Sequence, residues 1–173
     1  INSDSLKNLL KNATSDTLQL RLLFEPGYAE FYKYNYDSAN FYYTQALKFA
    51  EETNNKISEA KTHYYFGEMY LETGDFDLAL DHYAEAIDFY SETNDKNALN
   101  NAWYGVGLAY KSKGYFDAAL SYYQLSLDLS KELNDTLSMA DVYNNMATAE
   151  KNLGRYSEAM QHLSVALEIY RKN

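Results

Sequence analysis

A period of 40 residues runs through this sequence, and it constrains the fold more than any other feature. Small and aromatic side chains return to the same position in successive periods. The clearest positions are Gly74, Gly114 and Gly154; Phe76, Phe116 and Tyr156; and Ala79, Ala119 and Ala159. A fixed period of this length is typical of stacked supersecondary units, each of which buries its apolar face only against its neighbours.

Within each period, the apolar residues are spaced as they are on α-helices. Leu78, Tyr83, Ala86 and Tyr90 lie at i, i+5, i+8 and i+12, which places them on one broad face of a helix. No segment shows the sustained strict alternation of a β-strand. We therefore expect two antiparallel helices in each period, joined by a short turn.

The period divides the chain into a leading segment and an array. We assign residues 1–16 to a leading helix or linker, with a short helix over 3–12, and residues 17–173 to the array. The array has units at about 17–55, 56–95, 96–135 and 136–173. The first helix of each unit is predicted at 17–34, 56–73, 96–113 and 136–153, and the second at 36–53, 76–93, 116–133 and 156–172.

The predicted turns carry the residues that turns require. Glycine just past the first helix, as at Gly74, adopts the left-handed conformation without the penalty of a β-carbon. Turns between units contain Asn, which favours turns and caps: Asn54, Asn94 and Asn134. An acidic or hydroxyl side chain opens each second helix, where we expect it to accept hydrogen bonds from free backbone amides: Asp37, Asp77, Asp117 and Ser157.

Glycine and proline destabilise the interior of a helix, so their presence in the predicted helices needs an explanation. Gly67 and Gly107 fall within predicted first helices, where glycine costs roughly 1 kcal/mol relative to alanine. We attribute this cost to the close approach of a second helix, with Ala79 and Ala119 as the expected contacts. Pro26 falls inside the first predicted helix, so either that helix bends there or a new helix begins there.

The charge of the chain opposes several classes of partner. The formal net charge is −10, and no basic run or stripe is present, which argues against binding to nucleic acid or to an anionic membrane surface. There are no cysteines, so disulfides, thiolate metal sites and cysteine nucleophiles are excluded. Because the sequence starts at Ile1 rather than Met, we expect a part of a longer protein, either periplasmic or cytoplasmic.

The pattern resembles the tetratricopeptide repeat. The third unit carries it best: Trp103, Gly107, Tyr110, Gly114, Phe116, Ala119, Tyr123, Ser126 and Leu127. The resemblance implies an all-α, right-handed superhelix (an α-solenoid) of about four antiparallel helix-turn-helix units. The 40-residue form is also similar to the N-terminal repeat regions of bacterial two-component sensor kinases and transcriptional regulators, which implies a sensor or assembly domain of a signalling protein.

In this family the first helices line a concave groove that holds a protein or peptide segment. Carrying the groove positions over gives ten candidate residues: Phe24, Tyr28, Lys61, Tyr64, Glu68, Tyr104, Leu108, Asn144, Asn145 and Thr148. Tyrosine offers a large ring with a polar tip, and asparagine can pair with the amides of an extended peptide. The Lys and Asn clamp for a C-terminal carboxylate is absent, so a receptor for chaperone tails is not expected.

The remaining candidates for chemistry are explained by the repeat. His82 and His162 are two periods apart in the same position, predicted to point outward, and His63 takes a position filled elsewhere by core aromatics, so no metal site is expected. We expect a non-catalytic scaffold without a cofactor. Two alternatives remain open: a structural dimerisation spacer that forms a homodimer, or a cytoplasmic receptor for a small signalling peptide. From the apolar C-terminal edge at Val165, Leu167 and Tyr170 we expect either that more repeats follow in the parent protein or that this end pairs with another copy.

Overall fold

The structure, a computed structural model, describes residues 15–172, and this part of the chain folds into eight α-helices without a strand. The helices are α1 (Asp16–Phe31), α2 (Tyr36–Glu52), α3 (Lys56–Thr73), α4 (Phe76–Thr93), α5 (Lys96–Ser112), α6 (Phe116–Leu133), α7 (Thr136–Asn152) and α8 (Tyr156–Lys172). The short helix expected over 3–12 lies outside the described residues. None of the helices within 15–172 is both long and apolar enough to cross a membrane.

The helices pack as a row of hairpins. Each first helix (α1, α3, α5, α7) packs against the second helix that follows it (α2, α4, α6, α8), and each second helix packs against the next first helix. First helices also contact one another, α3 with α5 and α5 with α7. Among the described helices, neighbouring first helices contact one another whereas neighbouring second helices show no comparable contact, which places the first helices on the inner side of the array. The expected all-α superhelical repeat is confirmed.

The turns have the predicted conformation. The backbone is left-handed at Gly74, Gly114 and Gly154, with φ of 86°, 81° and 76°. The turns between hairpins are left-handed at Asn54, Asn94 and Asn134, with φ of 52°, 53° and 55°. In the first hairpin Tyr34 takes the place of the glycine with φ of 59°, and α1 ends at Phe31, three residues before the predicted end.

The expected capping by acidic residues of the second helices is wrong. The N-cap residues Asn35, Asp75 and Tyr115 make no side-chain cap bond. Asp77 and Asp117 face solvent instead, and each forms an ion pair with a basic residue of the next hairpin, Lys113 and Arg155 respectively. These acids therefore link successive hairpins. The first helices are capped by side chains, at Ser15, Asn55, Asp95 and Asp135.

One buried tyrosine in each of the first three hairpins explains the helical glycines. Tyr43, Tyr83 and Tyr123 lie 40 residues apart and are fully buried. A β-carbon added at Gly67 would lie 2.7 Å from the ring of Tyr83, and one added at Gly107 would lie 2.5 Å from the ring of Tyr123. The predicted close approach is confirmed, but the expected partners Ala79 and Ala119 are wrong, because a tyrosine ring occupies that space.

Helix α1 continues through Pro26 from Asp16 to Phe31. No new helix begins at the proline, which decides between the two alternatives that the sequence leaves open. Since proline has no backbone N–H, α1 lacks one of its internal hydrogen bonds at this point.

Candidate functional site

The helices α1, α3, α5 and α7 carry all ten candidate groove residues, and the surface that these helices form is here called the inner surface. Two groups of side chains stand out on it. One group, the tyrosine cluster, consists of Phe24, Tyr28, Tyr32, Tyr64 and Tyr65. The other, the amide cluster, consists of Tyr104, Lys111, Asp141, Asn145 and Tyr170, the last from α8.

The tyrosine cluster joins α1 to α3 through aromatic contacts. The ring of Tyr65 lies 5.4 Å from that of Phe24 and 5.6 Å from that of Tyr28, both in edge-on geometry. Lys61 places its ammonium 4.9 Å from the centre of the Phe24 ring. Tyr28 is 43% exposed, so the cluster presents aromatic surface to solvent. Such rings combine a large contact area with a polar tip that can hydrogen-bond.

A half-buried carboxylate lies beside this cluster. Glu68 accepts a 2.5 Å hydrogen bond from the hydroxyl of the buried Tyr83. Burial raises the pKa of the Glu68 carboxyl, and the hydrogen bond from Tyr83 opposes that rise. Burial raises the pKa of Tyr64, and the charge of Glu68 adds a smaller rise.

The amide cluster is a chain of hydrogen bonds that runs from α5 to α7. Lys111 donates to Asn145 Oδ1 at 2.7 Å, and Asn145 Nδ2 donates to the hydroxyl of Tyr104 at 2.7 Å. Tyr170 donates to the carboxylate of Asp141. Burial lowers the pKa of Lys111 and raises that of Tyr104 to about 12. Donors and acceptors therefore stand in fixed positions at this end of the surface.

Two clefts open between the first helices. One of about 250 Å³ is lined by Lys61, Tyr64 and Tyr65 among others, and one of about 160 Å³ by Tyr104 and Asp141 among others. Asn101 lines both clefts, so they lie side by side along the inner surface. An extended chain could follow this path from the tyrosine cluster to the amide cluster.

A buried polar network supports the smaller cleft from below. Ser126 donates to Asn100 Oδ1 at 2.6 Å, and Asn100 Nδ2 donates to Ser130 at 2.9 Å. All three side chains are buried, and each has a partner, so the network fixes α5 against α6 without an unsatisfied group. The sequence holds a signal for it, because the residues one period away from Asn100 are Ala60 and Ala140.

The structure brings some of the predicted groove residues together and separates others. Phe24, Tyr28, Lys61 and Tyr64 lie at or beside the tyrosine cluster, and Tyr104 contacts Asn145. Leu108 instead packs partly buried against the core around Tyr123. Asn144 and Thr148 are exposed on α7. Their role in binding stays a prediction. The ten candidates do not include five other members of these clusters: Tyr32, Tyr65, Lys111, Asp141 and Tyr170.

The histidines occupy positions that the sequence analysis did not foresee. His63 and His82 face each other across α3 and α4, with their Nδ1 atoms 2.9 Å apart, and His162 Nδ1 lies 2.9 Å from Glu150 Oε2. The outward orientation expected for His82 and His162 is wrong, since this position faces the first helix of the same hairpin. Burial lowers the pKa of His63. The pKa of His82 is lowered to about 4, mainly by burial and to a smaller extent by the charge of His63. Within 15–172, no group of three or more His, Cys, Asp or Glu residues is arranged to hold a metal ion.

The sequence itself connects these hairpins to a known family. Residues 98–172, which form the last two hairpins, match the family model of the tetratricopeptide repeat. This segment belongs to the tetratricopeptide repeat family. The earlier hairpins have the same architecture and continue the repeat array. Among curated protein sequences, none matches the chain.

Solved structures of tetratricopeptide-repeat type share the fold at low sequence identity. BtubC from P. vanneervenii superposes with a TM-score of 0.87 at 16% identity, over 98% of this chain and 70% of that one. A Rap protein complexed with Competence and Sporulation Factor gives a TM-score of 0.79 at 20% identity, over 98% of this chain and 48% of that one. A signal transduction ATPase with numerous domains from Pyrococcus horikoshii, which has a tetratricopeptide repeat sensor, gives 0.84 at 16% identity, over 96% of this chain and 26% of that one.

The coverage of these proteins limits what they imply. This chain spans about half of the Rap protein and about a quarter of the ATPase. At such identities the likeness describes the fold alone, since one fold hosts many functions.

Proposed function

We propose that this repeat array is a non-catalytic scaffold whose inner surface binds an extended segment of a protein or peptide. The observation that carries the proposal is the pair of adjoining clefts between the first helices, with exposed tyrosine rings at one end and fixed amide and hydroxyl groups at the other. Aromatic rings supply apolar contact area, and Asn145 and Tyr104 supply hydrogen-bonding groups for a peptide backbone.

The wider role that we propose is the sensor or assembly domain of a bacterial signalling or transcription-regulatory protein. Binding would act by changing the curvature of the array, since each hairpin contacts only its neighbours. A receptor for a small signalling peptide is the closest variant of this proposal. The fold shared with a Rap protein solved with Competence and Sporulation Factor supports that variant.

The binding proposal is tested by selecting peptides from a random displayed library on the immobilised chain. We expect selected peptides to lose at least about tenfold in affinity on Tyr28→Ala and on Asn144→Ala, which both change exposed side chains of the inner surface. Phe41→Ala is the matched control, because Phe41 is 44% exposed on the second helix α2 and Tyr28 is 43% exposed on α1. Peptides that bind all variants equally well, or a library that yields none, would refute the proposal.

A second candidate function, self-association, is favoured by one feature of α8. Tyr156, Met160, Leu163, Leu167 and Tyr170 form an exposed apolar row along this helix. The residues one period earlier in α6 are covered by α7, so α8 offers the same kind of surface to another helix. Sedimentation velocity across concentration tests it: we expect a dimer that Leu167→Glu dissociates, and a monomer at the highest concentration would remove this candidate.

A further inference from the structure

Glu68 is a half-buried acid that has no cationic partner within residues 15–172. Its carboxylate accepts a hydrogen bond from Tyr83, but no Lys, Arg or His of the described chain pairs with it. Its acidic neighbour on the same helix, Glu72, adds negative charge instead of balancing it. Burying a carboxylate without a countercharge is costly, and such groups cluster at functional sites.

Aromatic rings lie on the same side of α3 as Glu68. Tyr65 stands edge-on to Tyr28 at 5.6 Å and 87°, and edge-on to Tyr64 at 5.3 Å and 77°. Tyr64 and Tyr65 precede Glu68 on α3 by four and three residues, which places them beside it on the helix surface. The ring of Tyr64 also lies 6.0 Å from that of Tyr83, whose hydroxyl donates to Glu68. The rings therefore form a wall beside the acid, and their faces attract positive charge.

The chain itself shows a cation on these rings. The Lys61 ammonium lies 4.9 Å above the ring of Phe24, a member of the tyrosine cluster. Lys61 is on the same helix as Glu68 but seven residues before it, about two turns away. The Lys61 ammonium therefore lies on the ring of Phe24 and does not neutralise the carboxylate of Glu68.

We propose that Glu68, with the rings of Tyr28, Tyr64 and Tyr65, forms a subsite for a cationic side chain, the ammonium of lysine or the guanidinium of arginine. This inference rests on the proposed function, because that side chain belongs to the segment bound by the inner surface. The cation supplies the countercharge that Glu68 lacks and stacks against the aromatic walls. The net charge of −10 adds a general attraction for a basic segment.

The subsite is tested with small probes that carry the cation alone. The ¹⁵N-labelled chain is titrated with N-acetyl-lysine methylamide, with N-acetyl-arginine methylamide and with the neutral N-acetyl-norleucine methylamide. We expect the two cationic probes to shift the amide signals of Glu68 and Tyr65, the stronger of the two identifying the preferred cation, and the neutral probe to shift neither. Equal binding of the neutral probe would overturn the proposal.

Variants separate the charge of Glu68 from its packing. Glu68→Gln keeps the shape and an acceptor for Tyr83, and it should weaken the cationic probes by at least about tenfold. Glu92→Gln is the matched control, since it removes an exposed acid at the far end of α4, outside the inner surface, and should leave binding unchanged. Unchanged binding by a folded Glu68→Gln variant contradicts the subsite.

If Glu68→Gln does not fold, the aromatic wall gives an independent test. Tyr28 is partly exposed, so its replacement leaves the core intact. Tyr28→Leu should lower the affinity for the cationic probes several-fold, whereas Tyr28→Phe should retain it, because the attraction resides in the ring face. Equal affinities for the two variants would overturn the role of the ring.

The peptides selected on the inner surface separate a failure of the subsite from a failure of the proposed function. We expect these peptides to be enriched in lysine or arginine, and the enrichment to disappear when selection is repeated on Glu68→Gln. Peptides that bind the inner surface without such enrichment leave the proposed function standing and refute the subsite. Cationic probes that bind while no peptide is selected refute the proposed function and keep Glu68 as a cation site.

Discussion

Replacing the buried tyrosines one at a time by phenylalanine should have opposite effects on stability at equivalent positions. Tyr43, Tyr83 and Tyr123 occupy the same place in three successive hairpins and are all fully buried. Tyr83 donates to Glu68 at 2.5 Å, whereas within residues 15–172 the hydroxyls of Tyr43 and Tyr123 have no hydrogen-bond partner. The hydroxyl of Tyr123 lacks this partner because the residue equivalent to Glu68 in the third hairpin is Leu108, whose side chain cannot accept a hydrogen bond.

The magnitude follows from what each hydroxyl does. A hydrogen bond to a charged group contributes about 1.5–3 kcal/mol, so Tyr83→Phe should lower the free energy of unfolding by that amount. An unsatisfied buried polar group costs about 1–3 kcal/mol, so Tyr123→Phe should leave the free energy of unfolding unchanged or raise it by up to about 1 kcal/mol. The two variants should therefore differ by at least about 1.5 kcal/mol.

Urea unfolding followed by both circular dichroism and the fluorescence of Trp103 measures this difference. Coincidence of the two signals checks for a single transition, which repeat arrays do not always show. Tyr43→Phe serves as a second control and should behave like Tyr123→Phe. Equal losses of stability in all three variants would refute the reasoning, because the bond to Glu68 would then contribute nothing specific.

Two further predictions concern packing and pH. Gly107→Ala should lower the free energy of unfolding by about 2–4 kcal/mol, because the new methyl group would lie 2.5 Å from the Tyr123 ring, whereas Gly114→Ala should cost only about 1 kcal/mol, since its surroundings are open and only the left-handed backbone is strained; similar urea midpoints would contradict this. The pKa values of His63 and His82 are lowered in the folded state, so between pH 6.5 and about 4 the unfolded chain binds more protons and stability should fall as the pH falls. His82→Tyr, which installs the tyrosine found one period away, should flatten the thermal denaturation profile over this range, and an unchanged slope would contradict the assignment.

The helices could be predicted closely from the sequence because their ends are fixed by local chemistry. The bounds of α3, α4, α6 and α8 are those expected; a left-handed residue ends α3, α4 and α6, at Gly74, Asn94 and Asn134 respectively, and the left-handed Gly154 precedes α8. The end of α1 was wrong because Tyr34, not glycine, closes that turn. Tyrosine in this conformation gives no recognisable stop signal.

The contacts between helices could not be predicted to the same degree. The period identifies which positions are small and which are large, but not which small position faces which large one. That pairing depends on the rotation and crossing of the helices, and so Tyr83, not Ala79, proved to be the neighbour of Gly67. The contact between His63 and His82 could not be predicted for another reason. It occurs in one hairpin only, so the repeat pattern gives a separate explanation for each histidine and no sign that they meet.

Two departures from the 40-residue period that occur together can mark side chains that contact each other. Asn100 replaces an alanine of the neighbouring periods, and Ser126 replaces another, at Ala86 and Ala166. Their hydrogen bond shows that the two exceptions form one buried network. Glu68 likewise departs from its equivalents Tyr28, Leu108 and Thr148, and it proves to be the acid on which the cation subsite is proposed.

The most direct test of the proposed binding surface is to map a selected peptide onto the chain by ¹⁵N chemical-shift perturbation. The inner-surface proposal predicts that the largest shifts fall on α1, α3, α5 and α7, around Tyr28, Tyr65 and Asn145. Shifts concentrated on α2, α4 and α6, or confined to the apolar row of α8, would contradict it.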